Sequence, residues 1–273
     1  MPGLIIEGRE VPVLGVNVRN FRDDPRYRLS EEDREPRKTR WVRSVILHTT
    51  KGIDPVVVRP GVGPNALGDE RLVAHYRRQT GSNGCHVGID SDGSAICYAD
   101  CLTETTYHAK SINGVSVGVE LYQSAAGELW EAQLAAMVAV IEVLCATLGI
   151  QRQYHAPYRK YRPVPRLARG GADAIGIFGH RDQTDERGPG DPGDAPFEAL
   201  KSAGFEAFDF YQSEDVPTWR LRQRVLRSRG ADIRVDGIPG PATVAALRAA
   251  GYRDGLWRQA EAYDPTAEDG WHG

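Results

Sequence analysis

The chain has 273 residues, of which 41% are hydrophobic, and a formal net charge of −3. A chain of this length can bury a full core and has room for one large domain and one small one. The near-neutral charge gives no electrostatic reason to expect a nucleic acid or a membrane surface as a partner. No apolar run approaches the roughly 20 residues of a membrane span, so we expect no membrane insertion.

Residues 1–40 are predicted to form an N-terminal extension. Two short β-type runs, at 4–6 and 11–16, are interpreted as edge strands, because Pro12 lacks the amide hydrogen that a strand ladder needs. Residues 21–40 are dense in charge and are interpreted as an exposed loop. The first residues have neither the basic start nor the apolar core of a secretory signal, so we expect synthesis in the cytoplasm without a signal peptide.

The central part of the chain, residues 41–212, alternates strand patterns with helix patterns. Short apolar runs next to turn residues predict strands, and apolar residues at helical spacing predict helices. The strands are expected at 41–48, 85–90, 95–98, 115–121 and 174–178, with a hairpin turn at 91–94. The helices are expected at 69–79, 128–148 and 196–203, and Gly149 is the expected C-cap of the second one.

The C-terminal part reads as a small helical module. The composition changes at residues 213–217, which we interpret as a linker. Helices are then predicted at 218–229 and 242–250, within a module that extends over residues 218–256. The remaining residues, 257–273, form a polar tail with little apolar content to order it.

Three side chains in the central part could form a metal site. His180 follows a glycine at the end of a strand run, and Asp191 lies eleven residues further on, between Gly190 and Pro192. His48 closes another strand run and is the best candidate for the third ligand. Two imidazoles and a carboxylate are a zinc donor set that leaves a position open for water.

Two other aspartates compete with Asp191 for a role at this site. Asp185 lies on the same loop and could supply the carboxylate ligand instead. Asp182 could orient the His180 ring as a hydrogen-bond partner behind the ligand. The Pro-Gly pair that follows Asp191, with Phe197 beyond it, favours Asp191.

Four segments together resemble a known family, the zinc-dependent N-acetylmuramoyl-L-alanine amidases of the type-2 amidase and peptidoglycan-recognition-protein group. They occur in the family's order and with its rough spacing, and they extend over about residues 40–205. The segments are 47–50, 84–93, His108 with Asn113 and 116–121, and 179–182 with 191–193 and Phe197. One such segment would be weak evidence, whereas four in order are specific.

The resemblance implies an α/β fold, a mixed central β-sheet flanked by helices, with the small all-α module added at the C-terminus. It implies Zn²⁺ as the cofactor, held by His48, His180 and Asp191, and it puts Glu120 at the position of the catalytic glutamate. The substrate would be peptidoglycan or a muropeptide, cleaved at the amide between N-acetylmuramic acid and L-alanine. Glu120 would take a proton from the attacking water and return one to the leaving amine.

The resemblance also assigns substrate contacts and shows one departure. His108, Asn113 and His86 are expected to line the substrate groove, although either histidine could instead be structural. The family commonly has a basic residue, often lysine, two positions before its third ligand, and this chain has Pro189 there. Arg187 could replace that cation at the oxyanion, or it could be a solvated loop arginine.

The cysteines give no sign of a disulfide framework. Cys85, Cys97, Cys101 and Cys145 form no CxxC pair in a chain of this length, and we expect all four to be reduced. Cys85 stands where the family often has a tyrosine. We interpret it as a small buried thiol rather than a nucleophile.

Residues 221–226 and 236–243 resemble the signatures of a small peptidoglycan-binding module, which would tether the enzyme to the wall. We therefore expect an enzyme that reaches the cell wall after lysis or through a delivery machine, and a phage endolysin fits best. A non-catalytic peptidoglycan-binding protein and a cytoplasmic amidase that recycles anhydro-muropeptides are the alternatives. The sequence leaves the oligomeric state open.

Overall fold

The computed structural model describes residues 3–39, 41–51, 72, 76, 83–123, 127–156, 175–184, 190–208, 218–235 and 240–250. The chain divides into two compact units, Met1–Asp209 and Phe210–Gly273. The predicted domain limits 41–212 and 218–256 stay predictions. The first unit contains all the strands among the described residues, and the second contains helices.

A mixed eight-stranded sheet forms the centre of the first unit. The described strands of the unit are β1 (Leu4–Ile6), β2 (Arg9–Val11), β3 (Val18–Asn20), β4 (Arg34–Pro36), β5 (Ser44–Lys51), β6 (Val87–Ile89), β7 (Ala95–Cys97), β8 (Glu104–Thr106), β9 (Ser116–Gln123), β10 (Gln153–His155), β11 (Gly176–Gly179) and β12 (Glu206–Phe208). The strands of the eight-stranded sheet run in the order β12, β10, β11, β5, β9, β6, β7 and β3 among the described residues. All neighbouring strands of this sheet are parallel except β6 and β7, which form the predicted hairpin.

The α-helices whose bounds are described in the first unit are α1 (Glu131–Leu148), the single turn α2 (His180–Gln183) and α3 (Ala195–Ser202). Helices α1 and α3 lie close to their predicted positions, whereas the turn α2 was not predicted. Helix α1 ends as predicted at Gly149, whose φ of 69° is in the left-handed region that glycine adopts without strain. In the predicted helix 69–79, Leu72 and Tyr76 are helical and buried, and the other positions lie outside the described residues.

The two faces of the sheet differ in character because neighbouring residues of a strand point to opposite sides. On one face, apolar side chains of β5, β6 and β9 pack against α1 in the main core. The residues that alternate with them on β5 and β9 include Ser44, His48, Ser116 and Glu120, all buried and polar. The face opposite α1 therefore carries several of the buried polar side chains of these two strands.

Helix α1 is the longest helix in the described residues, and its apolar side is in the core. Met137, Val140, Ile141 and Leu144 recur at helical spacing and are fully buried. By length and composition alone this 18-residue helix is apolar enough to cross a membrane, which corrects our sequence-based statement that no run approaches that length. A buried core helix of a folded unit passes the same test, so the finding is weak evidence for a membrane span.

The N-terminal segment differs from its prediction. Strand β2 ends at Val11, before Pro12, and pairs with β1, whereas β3 joins the main sheet beside β7. The charged stretch 21–40 is not the exposed loop that we expected, because Asp33 and Arg37 are buried. Asp33 accepts hydrogen bonds from the Ser30 hydroxyl and from the Asn83 amide, at 2.6 and 2.9 Å. A composition rule cannot detect charges that have such specific buried partners.

The described part of the second unit, residues 218–235 and 240–250, contains two helices at the predicted positions, α4 (Thr218–Ser228) and α5 (Pro241–Ala249). Leu226 of α4 and Leu247 of α5 are buried, and the Gln223 amide donates to the Thr243 hydroxyl at 3.3 Å.

The four cysteines lie in the first unit. All four are free, as expected, and all four are buried.

We predict that Leu144→Ala lowers the free energy of unfolding by about 2–5 kcal/mol, because it leaves a cavity between α1 and the sheet. Thr147→Ala, at an exposed position of the same helix, should change it by less than about 0.5 kcal/mol. Urea unfolding followed by circular dichroism measures both values. Equal effects of the two substitutions would contradict the packing described for α1.

Candidate metal centre and active site

Three adjacent parallel strands bring the site residues together. In the pairing of β5 with β9, His48 lies directly opposite Glu120, so the two side chains project from the same face of the sheet. On the other side of β5, Gly179 of β11 pairs with Leu47. His180 is the next residue of the chain and begins α2 beside the end of β5.

His48, His180 and Asp191 meet at this edge. The Nδ1 atom of His180 lies 2.9 Å from His48 Nδ1 and 3.2 Å from Asp191 Oδ2. One potential ligand atom from each residue lies within 4.8 Å of the other two. The two histidines are at least 96% buried, and no other such group of three occurs within the described ranges. The geometry is that of three donor atoms facing one small volume.

Backbone contacts hold the Asp191 carboxylate in place. The Thr49 amide donates to Asp191 Oδ1 at 2.9 Å, and the Thr49 hydroxyl donates to the Gly190 carbonyl at 2.8 Å. The Arg181 amide donates to the Asp191 carbonyl at 2.8 Å. One carboxylate oxygen is thus bound to β5, and the other faces the histidines.

Of the two competing aspartates, Asp182 is described by the structure and is placed differently from Asp191. The Asp182 carboxylate accepts the Gly179 amide hydrogen at 2.8 Å and so closes the first turn of α2. Burial raises the pKa of Asp182 to about 7, although that hydrogen bond and the nearby Arg181 oppose the shift. Asp185 lies outside the described residues. Among the described aspartates, Asp191 is the one whose carboxylate joins the two histidines.

Gly179 allows the Asp191 loop to approach. A Cβ atom at this position would lie 2.7 Å from Pro192 Cδ, and the Phe197 ring is also in contact. The loop therefore packs against the backbone of β11 at a distance that only glycine permits. This contact gives a physical reason for the glycine before His180.

His108 lies between His48 and β9. Its Nδ1 atom is 3.1 Å from His48 Nε2, and its Nε2 atom is 3.2 Å from the Ser116 hydroxyl. A Cβ atom at Gly118 would lie 2.6 Å from the His108 ring, so this glycine makes room for the imidazole. Burial, with His86, His180 and Arg37 nearby, lowers the pKa of His108 well below its usual range. The ring is therefore neutral at neutral pH.

Two hydroxyl groups contact the Glu120 carboxylate, which is buried. The Thr50 hydroxyl donates to Oε1, and the Tyr76 hydroxyl lies 3.5 Å from Oε2. Our sequence analysis missed both residues. It predicted a helix at 69–79 that includes Tyr76, and the apolar spacing of that helix gave no sign of a polar contact.

Cys85 is a buried thiol, as expected. The Tyr76 hydroxyl forms a hydrogen bond with it, and burial together with the nearby Glu120 raises the pKa of Cys85 well above its usual range. A thiol that resists ionisation is a poor nucleophile. The chemistry of the site therefore does not rest on a thiolate.

His86 lies behind the site and is completely buried. Its Nδ1 atom accepts the Gly118 amide hydrogen at 3.0 Å, and its Nε2 atom lies 3.1 Å from the Glu104 carbonyl and 3.0 Å from Arg37 Nη2. Burial, assisted by the Arg37 guanidinium, lowers the pKa of His86 to about 3. Both ring nitrogens have protein partners, and no part of the ring faces solvent, from which a substrate would approach.

The other predicted substrate contacts are Asn113 and Arg187. The Asn113 side-chain oxygen accepts the backbone amide hydrogens of His108 and Ala109, at 3.1 and 2.6 Å. It thereby fixes the backbone that carries the His108 ring. Arg187 and Pro189 lie outside the described residues, and the replacement of the missing lysine by Arg187 stays a prediction.

Arg37 was also missed by our sequence analysis. It is buried beneath the site and donates to the carbonyls of Asn113 and Ser116, at 3.0 and 3.1 Å. Burial lowers the pKa of Arg37 to about 10, so the guanidinium stays charged at neutral pH. It is one of many charged residues between positions 21 and 40, and the sequence alone gives no signal that separates it from the others.

The comparison with protein families decides the identity of the first unit. The family model described as N-acetylmuramoyl-L-alanine amidase matches residues 38–194, more than half of the chain. The chain belongs to this amidase family. The enzyme is therefore a peptidoglycan hydrolase, and its fold is the mixed sheet with flanking helices that the resemblance implied. A second family model, described as a predicted peptidoglycan domain, matches residues 218–265 of the amidase.

Solved structures similar to the amidase include bacterial and animal proteins. The endolysin amidase LysCS from Clostridium intestinale is 16% identical, with 68% of this chain and 94% of that chain covered and a TM-score of 0.41. The peptidoglycan recognition protein PGRP-Hd from Alvinella pompejana is 14% identical, with 71% and 98% covered and a TM-score of 0.43. Drosophila PGRP-SD is 15% identical, with 71% and 98% covered and a TM-score of 0.42. None of the curated proteins matches the amidase.

We predict that the amidase loses stability as the pH falls from about 6.5 to about 3 and that His86 contributes to this loss. In this window an unfolded His86 binds a proton that the folded, buried ring does not, because its folded pKa is about 3. The contribution is on the order of 1 kcal/mol per pH unit. Urea unfolding at several pH values should show a flatter dependence for His86→Asn. An unchanged slope would contradict the burial of a neutral His86.

We predict that Gly179→Ala disturbs the position of Asp191, because the added methyl group would overlap Pro192. The variant should bind a divalent metal at least about 10-fold more weakly than the wild type, since ligand geometry sets affinity. Gly193→Ala is a useful comparison on the same loop, because nothing lies within 4 Å of the added atom, although the φ of 82° is strained. Isothermal titration with Zn²⁺ measures the affinities. Equal affinities of wild type and Gly179→Ala would refute this reason for the glycine.

Proposed function

We propose that the amidase holds a catalytic Zn²⁺ ion on His48, His180 and Asp191. The support is the convergence of two imidazole nitrogens and one carboxylate oxygen on one volume. Each of these atoms can offer an electron pair to one cation placed among them. Two histidines and one carboxylate are a donor set typical of catalytic zinc, with a position left for water. When bound, Zn²⁺ supplies a water of lowered pKa and polarises the scissile carbonyl.

We assign general base and general acid catalysis to Glu120. The carboxylate lies on the same face of the sheet as His48 and directly opposite it in the strand register, beside the proposed metal site. Its orientation is set by the Thr50 and Tyr76 hydroxyls. In this assignment Glu120 accepts a proton from the attacking water and delivers one to the nitrogen of the leaving L-alanine.

His108 and Asn113 are assigned to the substrate side of the site in different ways. His108 is half-buried, and its ring lies 3.1 Å from His48, so we assign it a position from which it can contact a substrate bound at the metal. Asn113 acts through the backbone of His108. We assign His86 a structural role, because the ring is completely buried and hydrogen-bonded.

The two matched families support a division of labour along the chain. We propose that residues 41–212 form the catalytic domain and that residues 218–256 bind peptidoglycan and raise the local concentration of substrate. A wall tether suits an enzyme that acts on the intact cell wall, reached after lysis or through a delivery machine. A recycling amidase that acts on soluble muropeptides has no use for it.

The test is the hydrolysis of purified peptidoglycan by the wild type and by Glu120→Gln and His180→Ala. The wild type should reduce turbidity and release new L-alanine amino termini, detected by mass spectrometry. Both variants should lose at least about 100-fold in rate, because each removes a group that acts on the reacting atoms. Glu120→Gln should still bind zinc. Peptidoglycan binding by the wild type without new amino termini would reject the catalytic assignment.

We predict that Tyr76→Phe lowers kcat with little change in KM and moves the acidic limb of the pH–rate profile to higher pH. The hydroxyl donates towards Glu120 Oε2 and so favours the ionised carboxylate, which is the form that acts as a base. A loss of about 10-fold in kcat is expected for one oriented donor. Tyr98→Phe is the matched control, because that hydroxyl bonds Tyr122 instead. The same profile for both variants would contradict a direct action on Glu120.

A further inference from the structure

The hydrogen-bond chain behind His48 begins at a backbone carbonyl. The Ser116 hydroxyl donates to the Ile112 carbonyl at 2.7 Å, and Ser116 is completely buried. A hydroxyl carries one hydrogen, so towards its other partner the Ser116 oxygen acts as an acceptor. That partner is His108 Nε2 at 3.2 Å. His108 Nε2 is therefore the nitrogen that carries the ring hydrogen.

The direction of this first bond determines the next one. A neutral imidazole with its hydrogen on Nε2 has an unshared electron pair on Nδ1. His108 Nδ1 lies 3.1 Å from His48 Nε2, which must then be the donor. With its hydrogen on Nε2, a neutral His48 has its unshared pair on Nδ1. This is the atom that lies 2.9 Å from His180 Nδ1 at the metal site.

We propose that Ser116, acting through His108, fixes His48 in the tautomer that presents its Nδ1 electron pair to the metal. The proposal rests on the metal centre assigned under the proposed function. It makes Ser116 and His108 positioning residues for a ligand, in addition to any contact that His108 makes with substrate. The tautomer of His48 is thus selected by a chain of hydrogen bonds that begins at the backbone carbonyl of residue 112 and includes the side chains of Ser116 and His108.

The surrounding structure prevents His108 from reversing this order. Asn113 holds the backbone amides of His108 and Ala109, and Gly118 leaves room for the ring in this position. The opposite tautomer of His108 would set two electron pairs against each other at Ser116, unless the hydroxyl turned away from the Ile112 carbonyl. A buried carbonyl would then lose its hydrogen bond, which is unfavourable.

The experiment measures the tautomer and the metal affinity separately. In metal-free protein labelled with nitrogen-15, two-bond correlations between ring protons and ring nitrogens report which nitrogen of His48 is protonated. The wild type should show hydrogen on Nε2 of His48. Zinc affinity is then measured by competition with a chromophoric chelator. Ser116→Ala should populate the other His48 tautomer and weaken zinc binding by about 10-fold to 100-fold, the usual effect of losing a partner behind a ligand.

Two substitutions at His108 provide matched controls. The side-chain oxygen of His108→Asn occupies about the position of Nδ1 and accepts from His48 Nε2 without help from Ser116. His108→Leu offers no acceptor. We expect zinc affinity near that of the wild type for His108→Asn and a loss for His108→Leu. In the His108→Asn background, Ser116→Ala should have no further effect, and the double-mutant cycle measures this coupling.

The outcomes distinguish this proposal from the one on which it rests. If Ser116→Ala keeps both the His48 tautomer and the zinc affinity of the wild type, the positioning role is wrong and the metal centre stands. If His108→Asn and His108→Leu lose affinity equally, the acceptor at Nδ1 is not what matters. A wild type that binds no zinc would overturn the metal centre itself, whereas the metal-free spectra would still decide the tautomer.

Discussion

The parallel pairing of β5 with β9 is the constraint on which the rest of this structure depends. Eight consecutive residues of the two strands are in register, and this register places His48 opposite Glu120. A slip by one residue would send one of these side chains to the opposite face, into the apolar core against α1. The apolar residues that alternate with them fix the register, because burying them on the α1 side stabilises only one pairing. The site is thus positioned by the same alternation that builds the core.

A polar face inside a folded unit requires a partner for every buried group, since an unpaired polar group is costly there. The charged N-terminal segment meets part of this requirement. Arg37 donates to the backbone carbonyls of Asn113 and Ser116, and the neighbouring His86 accepts the Gly118 amide hydrogen. The segment before β5 therefore belongs to the active-site architecture of the amidase, although it carries none of the proposed catalytic groups. Its Arg37 side chain binds the backbone carbonyls of Asn113 and Ser116, and the Ser116 hydroxyl in turn contacts the His108 ring.

Glycine at two positions decides how closely the functional groups can approach. Gly118 leaves space for the His108 ring, and Gly179 leaves space for the loop that carries Asp191. Both lie on strands, where glycine ordinarily weakens the sheet, and both are explained by a close neighbour rather than by a turn. The proposed metal ligands thus come from three separate parts of the chain and are brought together by strand pairing and by these two close contacts.

The fold class, the family and the positions of the main strands and helices could be predicted from the amino-acid sequence alone. This was possible because these features depend on local spacing, on the alternation of apolar residues and on motifs that occur in order. His48, His180 and Asp191 were chosen on the same grounds, and the tertiary structure brings these three side chains together.

The residues that surround the site could be identified only from the three-dimensional structure. Tyr76 and Thr50 reach Glu120, and Arg37 lies beneath His86, through contacts between residues far apart in the chain. No local pattern encodes such contacts, because a tyrosine on an apolar helix face or an arginine in a charged stretch looks the same whether or not it has a buried partner. The direction of each hydrogen bond, and with it the tautomer of His48, depends on three-dimensional neighbours that spacing along the chain does not specify.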